Sequence, residues 1–312
     1  MDVDALYEAF CGRLAPTIRS CGYGLAKALE LAPNADVPWS AVFKHEITLG
    51  APALIAEAMP VIPPSRLEPA LMAHLLSIIE AFGTDRIADG QVLATRELHE
   101  VLSAMRSARN AALCEVDGER SLEAAHTADR RTLAAIAAER DLFAADQPLS
   151  IETYIAISSA KQAVGMPASL ALATAAAFGD AETKAVEAAL MGSWLGLQFG
   201  DDVIDWEDDA ERGGAWAILL AKHAHSAADG AAGLEPRQLV FSSGILATML
   251  ELSRQQFGLA AAAARSLGAK RLAQWASERE AEAAENCEGE RRSPGYFSRL
   301  KQLAAWHAEV LG

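Results

Sequence analysis

What this chain lacks narrows its possibilities first. It has no sustained period-two run of β-branched residues, so half-buried strands are not expected, whereas apolar residues recur at helical spacing throughout. Its four cysteines, Cys11, Cys21, Cys114 and Cys287, fall without Cys-x-x-Cys spacing, which argues for reduced thiols and against a zinc site. No apolar run reaches membrane-spanning length and no charged-then-apolar leader is visible, so the expectation is a soluble, cytoplasmic chain with no transmembrane segment. Positive charge is also scarce: 27 Lys and Arg against 42 Asp and Glu leave a net −15. That balance argues against nucleic acid or an anionic membrane as partner. A polyanionic small molecule could be held here through metals or a few well-placed cations, and in no other way. No repeat period or linker-like composition divides the 312 residues, so one domain spanning 1–312 is the simplest organisation.

What is present is helix. Half of the residues are hydrophobic, enough for a large core, and the pattern predicts an all-α bundle of about ten or more helices. Residues 3–31 read as an amphipathic helix broken near Pro16. Ser40 is placed to cap a helix reaching Met59, and Pro60, Pro63 and Pro64 force a loop. Ser65 with Glu68 forms a capping box for the next helix. Gln91–Glu115 follows, with Arg96, Arg106 and Arg109 read mostly as solvent-facing. Ser150 opens a helix to Phe178, bent at Gly165–Pro167.

Two helices combine an apolar face with carboxylates. In Gln198–Gly213, at about 100° per residue, Met191, Trp194, Gln198, Asp202, Asp205 and Asp209 share one stripe, flanked by Asp201 and Asp208. Buried carboxylates repel one another and cost several kcal/mol each to desolvate unless a cation sits among them. An all-oxygen ligand set suits Mg²⁺ rather than zinc or copper. The alternative is a solvated acidic helix end. The same design recurs in Leu71, Leu75, Ile78 and Phe82, continued by Asp85 and Asp89; here the alternative is a frayed end between Gly83 and Gly90. Lys161 shares a face with Tyr154, Ile157, Gly165 and Ala168. A lysine in an apolar stripe should meet an anion unless its stem carries it to the surface. Glu123 and His126 match one Glu-x-x-His unit of a di-iron bundle, but the second copy such a site needs is missing.

Leu197-Gln198-Phe199-Gly200-Asp201-Asp202-Val203-Ile204-Asp205 resembles the second Asp-rich motif of trans-prenyl diphosphate synthases, FQxxDDxxD. Asp85 to Gly90 is similar to the DxxxDG of phytoene and squalene synthases. Asp205, Asp208-Asp209 and Arg212-Gly213 match the acids and the Arg-Gly that follow in those enzymes. The sequence from Ser65 to Gly213 therefore resembles the class I isoprenoid synthase superfamily, an all-α bundle around a central apolar cavity.

The resemblance implies two or three Mg²⁺ ions held by Asp85, Asp89, Asp201, Asp202, Asp205 and Asp209. They would bind the diphosphate of a linear prenyl substrate, with Lys161 and Arg212 beside it. Asp201, Asp205 and Asp209 are the foremost ligands, and Asp202 and Asp208 outer partners. Phe82, Ile78, Trp194, Met191 and Tyr154 would line the cavity for the apolar tail, and Gln198 would steer or deprotonate the cation. A homodimer is common among such bundles. The sequence departs from chain-elongating enzymes in lacking their Gly-Gly-Lys-Arg segment and the Arg-Arg pair after the first motif. One diphosphate is then the expected load, and the expected activity is that of a terpene synthase, a lyase that ionises and cyclises its substrate. The alternatives are a prenyltransferase, head-to-head or chain-elongating, and a silent partner subunit.

Overall fold

Prolines and glycines partition the chain into helices in the manner their backbone constraints dictate. Pro16, Pro64, Pro167 and Pro236 each stand in the first turn of a helix, where the missing N–H removes no intrahelical bond. The computed structural model describes residues 2–60, 62–226, 234–299 and 301. In order come α1 (Val3–Arg13), α2 (Pro16–Tyr23), α3 (Leu25–Ala28), α4 (Trp39–Val42), α5 (Glu46–Ala56) and α6 (Pro64–Ala88). Next are α7 (Arg96–Asp117), α8 (Glu119–Ala145), α9 (Ile151–Lys161), a 3-10 turn (Gln162–Gly165) and α10 (Pro167–Ala175). Then follow α11 (Asp180–Ile204), α12 (Trp206–Arg212), α13 (Trp216–Ser226), α14 (Pro236–Ser243), α15 (Ile245–Leu267) and α16 (Lys270–Arg292). The class is all-α: no strand occurs among the described residues, and no helix among them is long and apolar enough to cross a membrane.

Several expected boundaries move. The break near Pro16 is real, with Leu14 and Ala15 extended ahead of it. Ser40 lies inside α4, behind Pro38, and its hydroxyl meets Asp4 instead of capping a helix. Ser65 and Glu68 form no capping box, because Pro63 and Pro64 already open α6. The helix assigned from Gln91 begins at Arg96, where the Thr95 hydroxyl accepts from Leu98 N–H at 3.1 Å. Cys287 lies within α16 and is buried.

The chain forms two compact units. The first comprises residues 1–136, 161–190 and 262–273. Its core joins Leu71, Leu75 and Ile79 of α6 to Val101 and Met105 of α7 and Phe10 of α1. The second comprises residues 137–160, 191–261 and 274–312. Its core surrounds Phe199 and Val203 of α11, with Tyr154 of α9, Trp216 of α13 and Met249 of α15. Here α11 and α15 approach closely because α11 presents glycine. A Cβ at Gly196 would stand 2.7 Å from the Phe257 ring, and one at Gly192 would stand 2.6 Å from the Gln256 carbonyl oxygen.

Candidate functional site

Each unit carries one of the two acidic helix ends, and each end has its own electrostatic solution. In the first unit, Asp85 lies in the last turn of α6 and Asp89 is its C-cap. Lys161, the last residue of α9, places Nζ 3.4 Å from Asp85 Oδ2. The lysine therefore meets the anion its position demanded. The other oxygen, Asp85 Oδ1, is buried and has no hydrogen-bond partner among the described residues. A buried carboxylate oxygen left in this state is unfavourable unless a cation completes it.

The apolar stripe below Asp85 does not form an open wall. Leu71, Leu75 and Ile78 are packed in the core, and Phe82, 40% exposed, rests against Phe43 with ring centroids 4.9 Å apart. A neighbouring face of α6 borders a small cleft of about 20 Å³, lined by Ser77, Ala81, Thr84, Thr132, Leu133 and Ile136. Ion pairs border the same cleft. Glu80 meets Arg106, and Arg109 donates to both oxygens of Asp129 at 2.7 Å. Burial outweighs the two guanidinium charges and lifts the Glu80 carboxyl above its usual pKa. Arg109 is 1% exposed, so the expectation of a solvent-facing arginine fails. The acids that bury it, Glu80 and Asp129, lie on other helices and share no local spacing with it.

The second unit gathers the longer acidic run, and its helix is not continuous. It ends at Ile204, and α12 starts at Trp206 with Asp205 between them at φ −105°, ψ 4°. Backbone bonds bridge the break: Asp205 N–H donates to Asp201 O, and Asp209 N–H to Asp205 O, each at 2.9 Å. Asp202 points inward and is 8% exposed. The Tyr154 hydroxyl donates to its Oδ2 at 2.5 Å, and Gln198 Nε2 donates to its Oδ1 at 2.8 Å. Tyr154 is fully buried, and its surroundings and the Asp202 charge keep the phenol protonated well above its ordinary range. Trp194 is buried and Met191 half-buried, packed against the core.

The outward acids repel one another. Partial loss of hydration, then repulsion from Asp205 and Asp209, lifts Asp201 to about 6. Asp209 also reaches about 6, through burial and Asp205, against the pull of Arg212 and Lys301. Arg212 stands 3.7 Å from Asp209. Lys301 Nζ lies 2.6 Å from Asp208 Oδ2 and 3.1 Å from Asp205 Oδ1, and that hydrogen bond holds the Asp208 carboxyl below its usual range. No local pattern marks Lys301, which stands 96 and 93 residues from its partners.

Among the described residues no three His, Cys, Asp or Glu side chains converge on a ready metal position. Magnesium does not demand one, since it is commonly bound by one or two carboxylates, several waters and the phosphate oxygens of a substrate. Asp85 with its unbonded oxygen, and Asp201 and Asp209 with raised pKa values, fit that mode. Asp202, with both oxygens already engaged, fits it least.

No family model matches the chain, and no curated protein matches it. Solved structures do. A polyprenyl synthetase from Streptomyces coelicolor aligns at TM-score 0.66 and 19% identity, covering 89% of this chain and 99% of that one. A polyprenyl synthase from Caulobacter crescentus, complexed with calcium and isoprenyl diphosphate, aligns at 0.68 and 17%, covering 88% and 92%. The apo form of an Arabidopsis medium/long-chain length prenyl pyrophosphate synthase aligns at 0.59 and 15%, covering 90% and 100%. Likeness at these identities establishes architecture. The chain has the all-α fold of the class I isoprenoid synthases.

Proposed function

We propose that this chain is a divalent-metal-dependent enzyme that ionises a linear prenyl diphosphate and transfers the allylic cation to a second prenyl chain, with residues 1–312 forming one catalytic domain. The observation that carries the reading is Asp85, whose one oxygen faces Lys161 while the other is buried with no hydrogen bond among the described residues. Transfer is favoured over cyclisation because the structures that share the fold are polyprenyl synthases, one of them holding calcium and isoprenyl diphosphate. Mg²⁺ ions, two or three in all, at Asp85 and Asp89 of the first unit and at Asp201, Asp205 and Asp209 of the second would neutralise diphosphate and stabilise it as a leaving group. Lys161 supplies a fixed positive charge at the acid pair of α6. The C1–O bond breaks, its electron pair leaves with the diphosphate, and the alkene of the second chain attacks the cation, which then loses a proton.

A terpene synthase acting on one substrate is the second reading, and one observation favours it. The three arginines of α7, which follow the first acid pair, are engaged by carboxylates: Arg96 by Glu100, Arg106 by Glu80 and Arg109 by Asp129. Such arginines are poorly placed to receive a second diphosphate. Incubation with Mg²⁺ and linear prenyl diphosphates of increasing length, singly and in pairs, separates the two readings. A longer prenyl product that requires both substrates supports transfer. A hydrocarbon or alcohol from one substrate alone overturns it in favour of the synthase. No turnover in any combination would sink both.

A further inference from the structure

We infer that Asp202 is an anchor for the acidic run rather than a metal ligand, and that Tyr154 and Gln198 are the positioning residues that hold it. The inference rests on the metal-dependent reading above. Three features support it. First, both carboxylate oxygens of Asp202 already accept hydrogen bonds, from Tyr154 at 2.5 Å and Gln198 at 2.8 Å. Second, the donor from α9 is sequestered: Tyr154 is 0% exposed, with the rings of Phe199 and Trp216 at 4.9 and 5.2 Å. A phenol enclosed by aromatic rings has few other rotamers open to it, so it fixes the carboxylate as well as satisfying it. Third, the anchor sits where fixing is needed. Asp201 precedes Asp202, and three residues later the backbone leaves helical angles at Asp205, where α11 gives way to α12.

A helix end next to a break tends to fray, and the directions of Asp201 and Asp205 depend on its register. Pinning Asp202 from α9 makes those directions independent of any bound cation. The doubled aspartate therefore divides its labour, one carboxylate facing outward and the other tied into the core. Gln198 contributes from one turn earlier on α11, which locks the last turn against rotation about the helix axis.

The test is Mn²⁺ and Mg²⁺ binding to the full chain without substrate, by calorimetry and by paramagnetic titration, together with the Mg²⁺ dependence of turnover. Tyr154→Phe, Gln198→Leu and Asp202→Asn are each compared with wild type. Loss of a group that orients ligands weakens metal affinity by about ten- to hundredfold. The expectation is weakening on that scale in Tyr154→Phe and Asp202→Asn, with no change in the number of ions bound. The Tyr154→Phe/Asp202→Asn pair should be no weaker than the worse single variant. Saturating Mg²⁺ should restore kcat in Tyr154→Phe, which general destabilisation would not allow. Gln198→Leu, at a half-buried site, tests the same anchor if Tyr154→Phe fails to fold.

Loss of one bound ion in Asp202→Asn, with Tyr154→Phe and Gln198→Leu both binding as wild type, would overturn the inference and make Asp202 a ligand. A wild-type chain that binds no divalent cation under these conditions would overturn the functional reading instead.

Discussion

The two units settle their charge in opposite ways. In the first, acids and bases beside α7 are matched inside the protein: Arg109 is enclosed between Asp129 and Glu80, and Arg106 covers Glu80. In the second, Asp201 and Asp209 are left in repulsion with Asp205, and both carboxyls rise to about 6. The cations beside these acids, Lys301 and Arg212, are 39% and 60% exposed. The first arrangement serves folding and would be harmed by losing any partner. The second is unfavourable as it stands and becomes favourable when an external cation arrives, which is how a binding site differs from a structural ion pair.

The largest effect should come from breaking the matched side. Arg109→Met leaves half-buried Asp129 without its guanidinium and buried Glu80 with Arg106 alone, and should destabilise the fold by about 3–5 kcal/mol, read by urea denaturation. Added Mg²⁺ should not restore that loss. Next come the acids assigned to metal: Asp85→Ala and Asp205→Ala should each lower kcat by about 10²–10³-fold, the scale of removing a preorganised electrostatic partner of the leaving group. Activity intact in both would refute the two-motif mechanism.

Acid titration should separate the units by sign. His74 is buried beside Thr48 O, and burial lowers its pKa to about 4. It gives full stability above the unfolded pKa near 6.5 and loses it as pH falls towards 4, by up to roughly 3 kcal/mol. Asp201 and Asp209 have folded pKa values raised to about 6. Their contribution is complete below the unfolded pKa near 4 and is lost as pH rises through 6. Metal-free Asp209→Asn should therefore be more stable than wild type at pH 7, but not at pH 4, and less active. Mg²⁺ should raise the wild-type denaturation midpoint at pH 7 and barely at pH 5; equal Mg²⁺ stabilisation at both would contradict the assignment.

The smallest effect belongs to Lys301. Its pairs with Asp205 and Asp208 are substantially exposed, so Lys301→Met should tighten Mg²⁺ binding by only a few-fold, in line with the ~1 kcal/mol ceiling for such pairs.

Much of this contrast was legible in the sequence. Helical periodicity specified the class, and a lysine in an apolar stripe required an anion, which proved to be Asp85. The inward aim of Asp202 was half visible, as an outer partner rather than a foremost ligand. Three features had no local signature. The break at Asp205 falls in a stretch with no proline, and the glycine at 200 lies within α11. Arg109 is buried by acids contributed from two other helices, Glu80 and Asp129, so its own helix reads as amphipathic with a polar edge. Lys301 reaches its partners through tertiary folding alone. The Ser65–Glu68 capping box failed for a different reason: Pro64 sets the first φ of α6 before a side-chain cap could compete.

The bare surface of α11 at Gly192 and Gly196 bears on how this protein can change over time. With the Gln256 carbonyl and the Phe257 ring where a first side-chain carbon would go, Gly192 cannot be replaced alone without moving α15, nor Gly196 without displacing that ring. Viable descendants should alter them in compensated pairs, such as Gly196→Ala with Phe257→Leu. The helix that carries the longer acidic run is thus tied in its sequence drift to one that carries none of its chemistry.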